Sequence, residues 1–224
     1  VNRLAIFDCD GTLVDSGGPI AAALAETFEL HGLQSLPLGV SRRVIGLSLV
    51  EAMAALLPDA EAHEHAMLAE TYKGCFFRAR SEGRVDEPLF DGIAELLDAL
   101  EARGWLLAVA TGKSDRGLGH CLDCHGLASR FISLQTADRH PSKPHPSMVE
   151  AAMADAGASP DSTVVIGDTS FDMAMAVAAG ASAVGVAWGY HDPEDLIAAG
   201  AVGVARIPGE VLGLLPGESE RADG

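Results

Sequence analysis

The stretch Ile6-Phe7-Asp8-Cys9-Asp10-Gly11-Thr12-Leu13-Val14-Asp15-Ser16 constrains this chain more than any other. Leu4 to Phe7 are apolar, as in a short buried strand, and two aspartates follow at i and i+2. A strand's period of two puts Asp8 and Asp10 on one side where the strand ends. Two carboxylates that close repel each other, so either one takes a proton or a cation sits between them. A divalent metal answers that problem, and hard oxygen ligands suit Mg2+. Gly11 lets the backbone turn sharply and bring N–H groups to a bound anion. Asp-x-Asp alone would read as an acidic junction between strand and turn; the longer stretch is far more specific.

The chain that follows divides in two. Gly17-Gly18-Pro19 reads as a hinge and a helix start, and residues 17–85 show only helical patterns. Helices are expected over Ile20 to His31, over Val40 to Leu57 with an interruption near Gly46, and over Glu61 to Arg80. In the last of these Met67, Leu68, Tyr72, Phe76 and Phe77 fall at helical spacing and read as core. Beyond residue 85 helices and short apolar strands alternate. Strands are expected at Trp105–Ala110, Phe131–Gln135, Thr163–Ile166, Ala183–Ala187 and Val202–Ala205, with helices between them. Such alternation means a parallel sheet with helices on both faces, an α/β fold. The expected division is a core of residues 1–16 and 86–215, a helical insertion of 17–85, and a frayed polar tail of 216–224.

Three further segments carry chemistry. Ala108-Val109-Ala110-Thr111-Gly112-Lys113-Ser114 ends a strand and opens a helix, a place where backbone N–H groups meet an anion. Thr111 would donate its hydroxyl there; Ser114 as a plain helix cap is compatible with this. Ser142-Lys143-Pro144 holds one of only three lysines, the others being Lys73 and Lys113, and a fixed cation there would offset clustered carboxylates. Val164-Val165-Ile166-Gly167-Asp168-Thr169-Ser170-Phe171-Asp172 ends a strand in Gly-Asp and adds a second Asp on the first helical turn, so both carboxylates can point back to one sheet edge. Helix capping is the bland alternative for the last of these.

Taken in order, these segments resemble the four motifs of the haloacid dehalogenase superfamily, in its phosphoglycolate-phosphatase-like branch, and the resemblance covers essentially the whole chain. It implies a Rossmann-like core with a helical C1-type cap inserted after the first strand. It implies a nucleophilic Asp8 that forms a phosphoaspartate, and an Asp10 that serves as general acid and base while its backbone carbonyl helps hold Mg2+. Asp8, Asp10, Asp168 and Asp172 become the metal set. Gly11, Thr111, Gly112 and Lys143 become the phosphate site, with Thr111 and Lys143 also assisting catalysis. Arg43, just before the cap turn Ile45-Gly46-Leu47-Ser48, becomes a candidate leaving-group contact, with a solvated surface arginine as the alternative.

Relatives separate by chemistry. Dehalogenases and phosphonoacetaldehyde hydrolases do not use the second aspartate in this way, so Asp10 argues against both. A β-phosphoglucomutase shares Asp8 and Asp10, although its cap carries a basic residue after the glycine, where this chain has Gly46-Leu47-Ser48-Leu49. Pyrophosphatase activity also occurs in this branch. A non-catalytic phosphate-binding protein would fit better had Asp8, Asp10 or Lys143 been lost. The expectation is therefore a Mg2+-dependent phosphatase of a small phosphorylated metabolite. Fold alone would not license this; the four motifs do.

Charge narrows the partners. With 15 basic and 32 acidic residues the formal charge is −17, which repels nucleic-acid phosphates and anionic lipid. No leader pattern precedes the first strand, and no apolar run suits a membrane span. Cys9, Cys75, Cys121 and Cys124 show no disulfide framework, so a reduced, cytoplasmic protein is expected. Cys121-Leu122-Asp123-Cys124-His125 matches a haem-attachment pattern literally, and coincidence is the favoured reading. His140 and His145 flank Lys143 and read as loop residues or as the rim of the site. The oligomeric state is not legible.

Overall fold

The computed structural model describes residues 1–34 and 36–216. Of the tail beginning at Pro216, only Pro216 lies among them. Strand β1 (Asn2–Phe7) is the centre of a six-stranded sheet. It pairs in parallel with β2 (Trp105–Thr111) on one side and β4 (Ala158–Gly167) on the other. β3 (Phe131–Thr136), β5 (Ser182–Val186) and β6 (Gly203–Ala205) extend it in the order β3-β2-β1-β4-β5-β6, again in parallel.

Alternation along β1 builds the two sides of the core. Ala5 and Phe7 join one apolar cluster with Leu96, Leu97 and Leu100 of α5 (Ile93–Ala102) and Leu118 of α6 (Asp115–Cys124). Leu4 and Ile6 join the other, with Met148 and Val149 of α7 (Ser147–Ala156), Met173 of α8 (Ser170–Ala178) and Leu196 of α9 (Pro193–Ala198). Each of these four β1 side chains is fully buried. This is why the strand reads as a continuous apolar run rather than an alternating one.

The helical segment forms its own cluster. It comprises α1 (Gly17–Leu30), α2 (Leu38–Arg42), α3 (Leu49–Leu56) and α4 (Ala62–Ser81). Leu24 and Phe28 of α1 meet Met53 of α3 and Leu68, Tyr72 and Cys75 of α4. The chain leaves and rejoins the core side by side. Asp15 N–H donates to the Pro88 carbonyl (2.9 Å) and Phe90 N–H to the Leu13 carbonyl (3.0 Å).

The interruption expected near Gly46 is a full break into two helices: Gly46 takes φ +101° and the chain turns between them. Two local expectations change. β4 starts at Ala158, not Thr163. Its first residues are half-buried or exposed at the sheet margin, where the pairing slips between Asn2 and Leu4. On α4, Leu68 and Tyr72 are core, whereas Met67 and Phe77 are about half exposed, at 48% and 52%.

Candidate active site

Asp8 follows the last residue of β1, and its N–H still donates to the Ile166 carbonyl at 3.0 Å, so the sheet ladder fixes its backbone. Its Oδ1 accepts from the Cys9 N–H at 2.6 Å and faces Lys143 Nζ at 2.9 Å. Its Oδ2 is buried and has no hydrogen-bond partner. Lys143 Nζ also meets Asp172 Oδ1 at 2.6 Å. The other oxygen of Asp172 accepts from the N–H (3.1 Å) and hydroxyl (2.6 Å) of Thr169, whose own hydroxyl caps α8. Asp168 is held by the Thr12 hydroxyl on Oδ1 (2.8 Å) and the Tyr190 N–H on Oδ2 (3.0 Å).

Oxygens of Asp8, Asp168 and Asp172 all lie within 4.8 Å of one another, and all three residues are buried. Burial pushes the Asp8 carboxyl up to about 7, with Asp172 and Asp10 adding to the push and Lys143 opposing it. Burial, then Asp8 and Asp172, drive Asp168 well above its ordinary value. Burial works against the charge on Lys143, but Asp172 and Asp8 outweigh it and hold the ammonium above its usual range. One lysine among three buried carboxylates leaves an excess of negative charge. An orphaned carboxylate oxygen in such a cluster fits a hard divalent cation.

Asp10 points elsewhere. Its Oδ1 accepts from the Ser16 hydroxyl and pairs with Lys113 Nζ at 2.8 Å, so its carboxylate stands outside the cluster of three. Lys113 also pairs with Glu87 (2.8 Å), and Glu87 with Arg80 (2.6 Å). Burial opposes the charge on Lys113, yet Asp10, Cys9 and Glu87 raise it well above its ordinary value. Of the sequence candidates, Gly11 packs at φ +81°, and a Cβ there would stand 2.2 Å from Asp168 Oδ2. Thr111 is buried at the end of β2 and its Oγ1 accepts from the Lys113 N–H at 3.2 Å. Ser114 caps α6 through the Gly117 N–H at 3.1 Å. Arg43 is exposed, and its carbonyl lies 3.3 Å from His191 Nε2.

Beside the Asp10–Lys113 pair opens a cavity of about 560 Å3, walled by the helical segment and by Gly112, Lys113, Ser114, Arg116, Gly117 and His120. Arg43 is not among its lining residues. Gly112 lets the two walls meet, since a Cβ there would fall 2.6 Å from the Leu47 carbonyl and 2.9 Å from that of Gly46. Ser48 N–H donates to Ser142 Oγ at 2.9 Å, a hydrogen bond between the helical segment and the core.

Sequence reasoning passed over Thr12, Ser16, Glu87 and Tyr190, and gave Lys113 no firm role. Thr12 and Ser16 lay inside the first motif and Lys113 inside the second. Glu87 and Tyr190 carried no signal, because their partners are distant in sequence. The haem-like pattern disperses: Cys121 Sγ lies 3.8 Å from Cys9 Sγ, Cys124 is exposed, and His125 Nε2 lies 2.8 Å from the Glu87 carbonyl. His140 bonds Ser147 and Gln135 rather than the site. Among the described residues no helix is long and apolar enough to cross a membrane.

Known proteins resemble this chain. The family of haloacid dehalogenase-like hydrolases matches residues 5–186. The probable phosphatase IndB of Dickeya dadantii is 35% identical over 94% of this chain and 92% of its own length. A phosphoglycolate phosphatase of Pseudomonas putida is 29% identical over 99% of this chain and 82% of its own. A hydrolase from Pseudomonas syringae superposes with a TM-score of 0.83 at 28% identity, covering 95% of this chain and 97% of that one. With its parallel sheet, its buried triad of aspartates and these relatives, the chain belongs to the haloacid dehalogenase-like hydrolase family, as a phosphatase-like enzyme.

Proposed function

We propose that the protein hydrolyses the phosphate monoester of a small alcohol in two steps through a phosphoaspartate on Asp8. One observation carries this reading: a buried carboxylate with one oxygen steadied by Lys143 and the other free. In the first step an Asp8 oxygen forms a bond to phosphorus while the ester P–O bond breaks, and the departing alkoxide takes a proton from Asp10. In the second step Asp10, now a base, takes a proton from water. The water oxygen bonds to phosphorus, the Asp8 O–P bond breaks, and phosphate leaves with Asp8 restored. Asp10 suits the proton work because it stands apart from the triad and opens onto the cavity where a leaving group would lie.

Lys143 and the Thr111 hydroxyl would orient the phosphoryl oxygens and balance their charge. Mg2+, held by Asp8, Asp168 and Asp172 with the Asp10 backbone carbonyl, would neutralise phosphoryl charge. Residues 17–85 would act as the cap over the 1–16 and 86–215 core, excluding water around the phosphoryl group.

The test is phosphate release from a panel of small phosphate esters with Mg2+ or with EDTA, for wild type and Asp8→Asn. Release should depend on Mg2+ and fall by roughly four orders of magnitude or more in the variant. Acid-quenched wild type should carry a substrate-derived phosphoryl group on Asp8 by mass spectrometry. Undiminished release by Asp8→Asn would overturn the mechanism. Isomerisation of glucose 1-phosphate without net release would replace hydrolysis by phosphoryl transfer.

A further inference from the structure

The cavity beside Asp10 is larger and less polar than a two-carbon acid requires. It measures about 560 Å3, within the usual range of pockets that hold whole drug-sized molecules. Its walls include Ile20, Leu24, Val44, Met53, Tyr72 and Phe76. On α4 the lining follows two i, i+4 rows, Tyr72-Phe76-Arg80 and Lys73-Phe77-Ser81, so one helix face presents rings and cations together.

The cations are arranged in two ways. Lys73 and Arg116 are exposed at the mouth, and Arg116 lies over the Phe77 ring at 4.3 Å. Arg80 and Lys113 lie deeper, and their charges are balanced by Glu87 and Asp10 through contacts of 2.6 to 2.8 Å. The Arg80 guanidinium stacks over Phe76 at 5.0 Å. Its Nη2 serves Glu87, while its Nε is buried without a partner. A buried donor left unpaired costs free energy, which a bound acceptor would recover once the side chain turns Nε toward the cavity. Both deep cations are already paired through Glu87, so a neutral acceptor satisfies Nε without bringing an unpaired anion into apolar surroundings.

From this we infer that the alcohol portion of the substrate is ring-sized, largely apolar and uncharged, and carries a neutral hydrogen-bond acceptor that Arg80 Nε binds. The inference rests on the phosphatase reading and names the class of ester that the site prefers. The ring lies against Phe76 and Met53, its ester oxygen faces Asp10, and Arg80 acts as a specificity residue.

The test compares ethyl phosphate, benzyl phosphate, carbamoylbenzyl phosphate, carboxybenzyl phosphate and 2-phosphoglycolate with Mg2+. Ethanol and benzyl alcohol have similar acidity, so a difference between their esters reports binding rather than leaving-group chemistry. Benzyl phosphate should exceed ethyl phosphate by about tenfold or more in kcat/KM. The carbamoyl group should add about fivefold to tenfold, the carboxylate nothing or a loss, and 2-phosphoglycolate should trail. Arg80→Lys keeps a cation beside Glu87 but lacks Nε, and should bring the carbamoylbenzyl-to-benzyl ratio close to one. A second readout uses the non-hydrolysable phosphonates, titrated calorimetrically into the Mg2+-loaded protein, where benzylphosphonate should bind about tenfold or more tightly than ethylphosphonate. Equal values for ethyl and benzyl compounds, a preference for 2-phosphoglycolate, or an unchanged ratio in Arg80→Lys would overturn the inference while leaving the phosphatase reading intact. Tight benzylphosphonate binding with no release from any ester would support the cavity's preference and overturn the phosphatase reading instead.

Discussion

The acidic cluster at the sheet edge and the cavity beside it have walls built on opposite principles. The wall of the cluster is polar and bonded at nearly every atom: Asp168 by Thr12 and Tyr190, Asp172 by Thr169 and Lys143. The wall from α1, α3 and α4 is mainly apolar, with Lys73 and Arg80 set among its rings, and its apolar side chains mostly touch one another. Directional bonds hold the first wall to fixed positions, which in-line phosphoryl transfer needs. Area and shape hold the second, which constrain what fills it far more loosely. Under the proposed function, chemistry falls to the rigid edge and selectivity to the side that can be repacked.

The strongest blow to this contrast is Lys143→Met. It leaves Asp8 and Asp172 buried without their cation, and should cost about 3–5 kcal/mol of stability, read as a fall in denaturant midpoint at unchanged slope. Added Mg2+ should recover part of that loss. If the variant unfolds like wild type, the polar wall is not held by charge. Next comes the metal itself. At a hundredfold excess over its Kd, Mg2+ should stabilise the wild type by about 2.7 kcal/mol, and EDTA should reverse it. No shift in Tm would remove the triad as a cation site.

Gly112→Ala probes the seam between the walls. The new methyl group would run into the Leu47 and Gly46 carbonyls, which are backbone and yield poorly. Destabilisation of about 1–3 kcal/mol is expected, with KM for a bulky ester rising more than kcat falls. Equal losses in both would tie the cap turn to the chemical step. The smallest effect is in pH. Burial, with help from Arg139 and His145, lowers the His140 pKa below its ordinary 6.5. The unfolded chain then takes the proton first as pH falls. Stability from this group is complete above about pH 6.5 and is lost progressively below it. His140→Gln should flatten that slope in urea titrations; an unchanged slope would place the titration elsewhere.

The polar wall was largely legible in the sequence, and the apolar wall was not. Asp8, Gly11, Asp168 and Asp172 announce themselves because strand period and helix start bring short-range neighbours to one edge. Lys143 was found only through its order among the motifs, since Lys-Pro says little by itself. The carboxylate of Asp10 shows the limit: spacing set it beside Asp8, but Lys113 and Ser16 hold it away. Periodicity placed Tyr72, Phe76 and Phe77 on a helix without telling core from cavity lining. That distinction depends on what α1 and α3 leave unfilled, and no local pattern carries it. Pro160 and Asp161 disguised the start of β4 as a loop.

The paired bonds from Asp15 to Pro88 and from Phe90 to Leu13 have a wider meaning. To the sheet, everything between them is a single broad hairpin tip, and lengthening a tip costs little once its base is closed. Bridging Asp15 to Pro88 with a short turn would leave all six strands with their neighbours. The sheet edge thus resembles a chassis, and the helical segment a fitting threaded on at one joint and braced where Ser48 meets Ser142. A descendant could exchange that fitting, and with it the alcohol it admits, without touching an aspartate.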